Sequence, residues 1–249
     1  MKNRMFVIIA STGLLLILFL IVMIYTVLFD NPGIDYPINL GDFKSTGNTR
    51  INPQTLLSSL EQGHTNVFQL ESELPEDPMF VMPVEWKQAD YFKIAKVIHQ
   101  VVWGESLNDW TLYRMNFRNA CTNEPEGLES ANLFYFQNMQ INGESRYSVR
   151  EILIEPEYGY IAWGGDTFYP RPFFGWKSID LNEITITAEK VINIAESSGG
   201  VELRLSAKNE CNVLISMYPE GYNRFDWKVY YSAGYDILPD PPTFWIPSK

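Results

Sequence analysis

The 249-residue chain carries 19 basic and 30 acidic side chains, a net charge of −11, and is 46% hydrophobic and 14% aromatic. Such acidity without any basic run excludes a nucleic-acid binder, because phosphate backbones would be repelled. The apolar and aromatic content excludes a disordered stalk.

The first element is a charge-free apolar run, MFVIIASTGLLLILFLIVMIYTVLF, between Arg4 and Asp30. A helix needs about 20 apolar residues to cross the hydrocarbon core, and Met5–Phe29 supplies more. A cleaved signal peptide is the rival. Its apolar part is normally about 7–15 residues, ending in a small-residue cleavage site, and no such site precedes Asp30. Residues 1–29 are therefore expected to be a transmembrane signal anchor. Lys2 and Arg4 before the run and Asp30 and Asp35 after it keep the N-terminus cytoplasmic and the body extracytoplasmic. Without Lys2 and Arg4 the balance is 17 basic against 30 acidic side chains, or −13.

Residues 30–83 read as a juxtamembrane spacer. The stretch 30–50 is dense in Pro, Gly, Asn and Asp, and 71–83 is acidic and Pro-broken. Between them Asn52-Pro53 starts a short helix with Leu56, Leu57 and Leu60 on one face. From about residue 84 the pattern becomes compact. Tyr91, Ile94, Ala95, Ile98 and Val101 or Val102 recur at helical spacing up to Gly104. TLYRMNF alternates, with Thr111, Tyr113, Met115 and Phe117 on one face. NLFYFQNM and YSVREILIEP are further strands, the second opening at the Asn142-Gly143 turn signal. EPEYGYI reads as strand, tight turn and strand, and Trp163-Gly164-Gly165-Asp166 as a turn. Residues 84–165 thus form a first unit, and the Pro-broken aromatic stretch 166–177 a linker.

The second unit, 178–249, opens with a helix capped at Thr187, buried through Val191, Ile194 and Ala195, and ended by Gly199-Gly200. VELRLSAK, CNVLISMY and DWKVYYS then read as strands, followed by a Pro-rich tail over the surface. Each unit is a helix followed by antiparallel strands, an α+β organisation in which the sheet covers the helix stripe. Ile94-Ala95 and Ile194-Ala195 suggest a diverged duplication; the alternative is one continuous domain in which the parallel is chance.

AEKVINIAESSGGVELRL followed by WKVYY resembles the PepSY pattern of a helix with an Ile-Ala centre, a Gly-rich break and a strand meander. ILIEPEYGYIAWG resembles that family's closing signature, whereas SAGYDILPDPP stands at its place in the second unit. The resemblance covers about half of the body. It implies a cystatin-like helix-on-sheet fold, exported, used in binding or inhibitory regulation, with no catalytic residue to carry over.

Chemistry is sparse. His64 and His99, the only histidines, lack ligand-spaced partners, so no metal or other cofactor is expected. Glu151, Glu155 and Glu157 cluster near a strand end, where acidic residues also discourage edge aggregation. Cys121 and Cys211 are a candidate disulfide in an oxidising compartment; the alternative is two buried thiols. Phe168, Tyr169, Phe173, Phe174 and Trp176 are a candidate binding patch for a peptide or glycan, or else a plug between the units. The expectation is a membrane-anchored extracytoplasmic binding or regulatory protein, not an enzyme, with an envelope protein, peptide or glycan as partner. An anchored envelope hydrolase using Glu151, Glu155 or Asp166, and a structural subunit of an envelope complex, are the alternatives.

Overall fold

In the computed structural model, helical spacing over QADYFKIAKVIHQVVW becomes α1 (Gln88–Trp103), closed by Gly104 in the left-handed region at φ 72°. Tyr91, Ile94, Ala95 and Ile98 are all fully buried. Each large apolar side chain buried this way contributes about 1.5–3 kcal/mol. The described residues are 46–50, 62, 86–121, 127–169, 177–208, 210–217, 225–232 and 243–249, with the backbone alone for 46–50, 166 and 167. The expected anchor, the helix after Pro53, His64, Phe173, Phe174 and Trp176 lie outside them. Among the described residues no helix is long and apolar enough to cross a membrane.

The strands are β1 (Thr46–Arg50), β2 (Thr111–Ala120), β3 (Ser130–Ile141), β4 (Glu144–Glu155), β5 (Tyr160–Tyr169), β6 (Asn212–Met217), β7 (Asp226–Ser232) and β8 (Thr243–Pro247). They form one eight-stranded antiparallel sheet in the order β1-β5-β4-β3-β2-β6-β7-β8. The fold is α+β, with helices covering one face. A single row on that face runs Ile161, Ile154, Ala131, Phe117, Ile215, Val229, Phe244 across seven strands. The core is therefore continuous from one half of the sheet to the other.

The halves meet at the β2–β6 seam, and consecutive strands run outward on both sides of it, β2-β3-β4-β5 and β6-β7-β8, with β1 added beyond β5. Asn116 and Ser216 stand opposite each other there, 100 positions apart. The same offset relates the helix starts Gln88 and Ala188 and the fully buried pairs Tyr91/Val191 and Ala95/Ala195. The helix starts also cap one another. Gln88 Oε1 accepts from the Ala188 N–H at 2.9 Å, and the Glu189 carboxylate accepts from the Gln88 N–H. Those N–H groups have no partner within their own helices, so each helix end satisfies the other.

Several expectations change. TGNTR, read as spacer, is the edge strand β1, whose backbone pairing with β5 needs no apolar pattern. A bulge between Leu112 and Arg114 resets the alternation of β2, so Leu112 joins Met115 and Phe117 in the core in place of Tyr113. The segment 163–166 is not a turn but part of β5; Gly165 is small because Arg150 Cγ and the Trp103 ring lie 3.0 and 3.1 Å from where its Cβ would be.

In the second half α2 (Ala188–Ala195) buries Ile192 and leaves Ile194 38% exposed. Gly199, at φ 113°, kinks the chain without ending the helix, which resumes as α3 (Val201–Ser206) where a strand is expected. Alternation in VELRLS misleads because only Arg204 is fully covered there, so burial does not select either period. The Pro-rich tail supplies β8, paired to β7 from Thr243 to Pro247.

Candidate cleft and buried arginine

A concavity of about 580 Å³ lies beside α1 at Phe92 and Lys96, lined by described residues. Two short turns flank it. In the first, Ser106 Oγ accepts from the Asn108 N–H at 3.2 Å and opens the 3-10 turn Leu107–Asp109. In the second, Asp180 Oδ1 accepts from the Asn182 N–H at 2.9 Å and opens the turn Leu181–Glu183. Ser and Asp suit such positions because their short side chains reach the backbone two residues on. Each turn thereby brings a Leu-Asn pair to the cleft: Leu107-Asn108 and Leu181-Asn182. The Ile179 N–H donates to the Leu112 carbonyl at 2.8 Å and docks the second turn against β2.

The floor is apolar, built from Trp110, Leu112, Tyr135 and Ile179, all at most 6% exposed. The Tyr135 hydroxyl is buried without a hydrogen-bond partner among the described residues, and burial raises its pKa above the usual phenol value. Lys96 and Asp180 are the charged residues of the lining.

Behind the floor sits Arg150, fully buried on the helix-facing side of β4 and opposite Tyr135 in register. Its guanidinium stacks between two tryptophans, with Cζ 3.9 Å from the Trp110 ring centre and 4.6 Å from that of Trp103. Its NH1 donates to His99 Nε2 at 2.9 Å and to Glu105 Oε2 at 2.9 Å. Those bonds assign His99 as the tautomer whose Nδ1–H donates to the Glu105 carbonyl at 3.1 Å. Burial, aided by the Arg150 charge, lowers the His99 pKa to about 4, so the ring is neutral at pH 7. Trp110 belongs to both assemblies: one face covers Arg150, and its indole N–H donates to Glu105 Oε2 at 3.3 Å. The cleft floor is thus fixed by the charge pair behind it.

The other half carries its own buried pair. Glu196 Oε2 accepts from Arg204 Nε and NH2 at 3.1 and 3.0 Å, while Glu196 Oε1 accepts from the Tyr231 hydroxyl at 2.6 Å.

Cys121 and Cys211 form a disulfide with Cα atoms 4.9 Å apart. Cys121 follows β2, Cys211 precedes β6, and the strands are antiparallel, so the cysteines face each other one step beyond the last registered pair, Ala120 and Asn212. The bond closes the end of the seam.

Of the carboxylates singled out in sequence, Glu151 and Glu155 do not line the cleft, and the Asp166 side chain lies outside the described residues. The Glu151 carboxylate accepts from Asn132 Nδ2 at 2.6 Å on the face without helices, and Glu155 pairs with Arg118 at 3.8 Å. Of the aromatic candidates, Phe168 is 5% exposed and Tyr169 is half-buried. Sequence reading missed the cleft turns. Their signal is a repeated tetrad, Ser106-Leu-Asn-Asp and Asp180-Leu-Asn-Glu, separated by too much chain to be read as one site. Compared with known proteins, the chain matches no family model and no curated protein.

Proposed function

We propose that this is a membrane-anchored extracytoplasmic binding or regulatory protein, built from two PepSY-like helix-on-sheet units behind an N-terminal transmembrane helix. The cleft carries the reading. It joins an apolar floor to a few convergent polar groups, the usual make-up of a ligand site. Its one carboxylate among the described lining residues, Asp180, accepts from the Asn182 backbone and side chain and so serves as a cap. The 25-residue apolar run and its flanking charges support the anchor and its orientation. The disulfide supports an oxidising compartment. The 100-residue offset shared by helices and seam supports a duplication.

A photo-crosslinking residue placed at Leu181 in the full chain, in cells, should yield one dominant adduct. The same residue at Tyr158, exposed on the β4–β5 turn, should not. Equal labelling from both sites, or none from Leu181, would remove the binding reading. Protease added to intact, outer-barrier-permeabilised cells should degrade the body and spare the N-terminus; protection of the body would overturn the orientation.

A further inference from the structure

Four features of the cleft narrow what it receives. Lys96 projects from α1 one turn beyond Phe92, which also lines the cleft, and has no carboxylate partner among the described residues. In a body of net charge −13 an unpaired ammonium on a cleft wall is a local exception, and it favours an anionic group on the ligand. Among the described residues the Asn108 side-chain amide has no hydrogen-bond partner, and Asn182 keeps its amide oxygen and one N–H open after bonding to Asp180. An asparagine amide offers one acceptor and two donors, which can bond to the single N–H and C=O that each peptide unit presents. The two Leu-Asn turns offer this set from opposite flanks of an apolar floor.

We propose that the cleft binds the C-terminal end of an extended peptide whose last residue is apolar. The terminal carboxylate meets the Lys96 ammonium, the last side chain lies on the floor of Trp110, Leu112 and Tyr135, and the preceding peptide groups bond to Asn108 and Asn182. The cleft volume, about 580 Å³, falls within the usual range for ligand pockets, about 300–1,000 Å³. A fatty acid would satisfy Lys96 and the floor equally well. It would use neither asparagine amide, whereas a peptide gains hydrogen bonds to both, so the amides favour the peptide. This inference rests on the binding reading above and specifies its ligand.

The test uses the full chain in lipid nanodiscs. Tetrapeptide pools with Leu, Phe, Ser or Asp fixed at the last position, each made as free acid and as C-terminal amide, are passed over it and the retained species identified by mass spectrometry. Leu- and Phe-ending acids should be retained, and their amides should bind about tenfold more weakly, the loss expected for one charge-assisted hydrogen bond. Lys96→Glu should weaken the acids by a similar factor and leave the amides unchanged. Lys93→Glu, at a lysine that pairs with Asp90 at 3.2 Å, should change neither. Amides binding as well as acids, indifference to Lys96→Glu, or retention of dodecanoate with no peptide retained would each overturn the proposal. If Leu181 still captures a partner in cells while no peptide is retained, the ligand assignment fails alone; if both fail, the binding reading fails with it.

Discussion

In the first half of the sheet α1 runs 16 residues unbroken, and the buried arginine comes from the opposite layer, on β4. In the second half α2 lasts 8 residues, kinks at Gly199 and resumes as α3; the buried arginine, Arg204, lies on the helix and pairs with Glu196 of the same layer. Arg150 is held by two aromatic faces and a carboxylate whose side chain is 37% exposed, whereas Arg204 and Glu196 are 9% and 10% exposed. One half thus uses its cation to tie helix to sheet and hold Trp110 in place; the other uses it to hold a broken helix together. Most of the cleft floor, Trp110, Leu112 and Tyr135, belongs to the first half, where the arginine bridges the layers, and residues 178–182 of the second half complete the lining. The symmetric seam is scaffold, and the site is built where the halves differ.

The sharpest way to break this comparison is to remove one charge from each pair. Arg204→Met would leave Glu196 buried and uncompensated, a loss of about 3–5 kcal/mol. Glu105→Gln removes a carboxylate that water already reaches and leaves an amide oxygen for the buried Arg150, so it should cost less, about 1.5–3 kcal/mol. Urea unfolding of the detergent-solubilised chain, followed by tryptophan fluorescence, measures both. Equal losses would mean that the two pairs do the same work.

Glycine placement tests the same contrast more gently. A Cβ at Gly200 would lie 2.8 Å from the Ala195 carbonyl and 2.7 Å from Tyr231 Cζ, neither of which can retreat. Gly200→Ala should cost about 3 kcal/mol. At Gly165 the obstacles are Arg150 Cγ and the Trp103 ring, at 3.0 and 3.1 Å. Gly165→Ala should cost about 1–2 kcal/mol and, by pushing Trp103 from Arg150, should alter tryptophan emission where Gly200→Ala does not.

The disulfide tests whether the halves depend on each other. It joins residues 90 positions apart, so replacing both cysteines by alanine should lower stability by about 2–4 kcal/mol through the entropy of the unfolded chain. One cooperative unfolding transition should remain, since the core row crosses the seam. Two separated transitions would make each half an independent folding unit.

Periodicity worked wherever one face is buried and the other wet: α1, β3, β4, β6 and β7 follow their patterns. It failed where burial does not discriminate, as in α3, and it did not find the edge strands β1 and β8, which lie in Gly- and Pro-rich sequence. The bulge at Leu112–Arg114 is invisible in sequence because TLYRMNF alternates without a break, with Tyr113, Met115 and Phe117 on one parity and only Leu112 apolar on the other. The cysteines could be named as a pair, but their meeting depends on the antiparallel seam, which no local signal encodes. His99 illustrates the same limit: its spacing places it beside the apolar stripe of α1, yet its partner Arg150 arrives from a strand 51 residues away.

That partnership yields the most specific effect. His99 is fully buried, faces Arg150 from β4 and Glu105 and Asp109 from the following loop, and has its pKa lowered to about 4, first by desolvation. The unfolded chain takes up this proton near the ordinary value of about 6.5, so below that pH protonation favours unfolding. The contribution is complete above pH 6.5 and is lost as pH falls toward 4, on the order of 2–3 kcal/mol. Glu129 titrates in the opposite sense, because burial raises its pKa and favours its protonated form in the fold. The difference between wild type and His99→Gln therefore isolates the histidine, since the glutamine oxygen can still accept from Arg150 without titrating. Urea midpoints at pH 7, 5.5 and 4.5 should fall more steeply for wild type than for the variant. Parallel curves would place the acid sensitivity elsewhere and detach His99 from the support of Arg150 and the cleft floor.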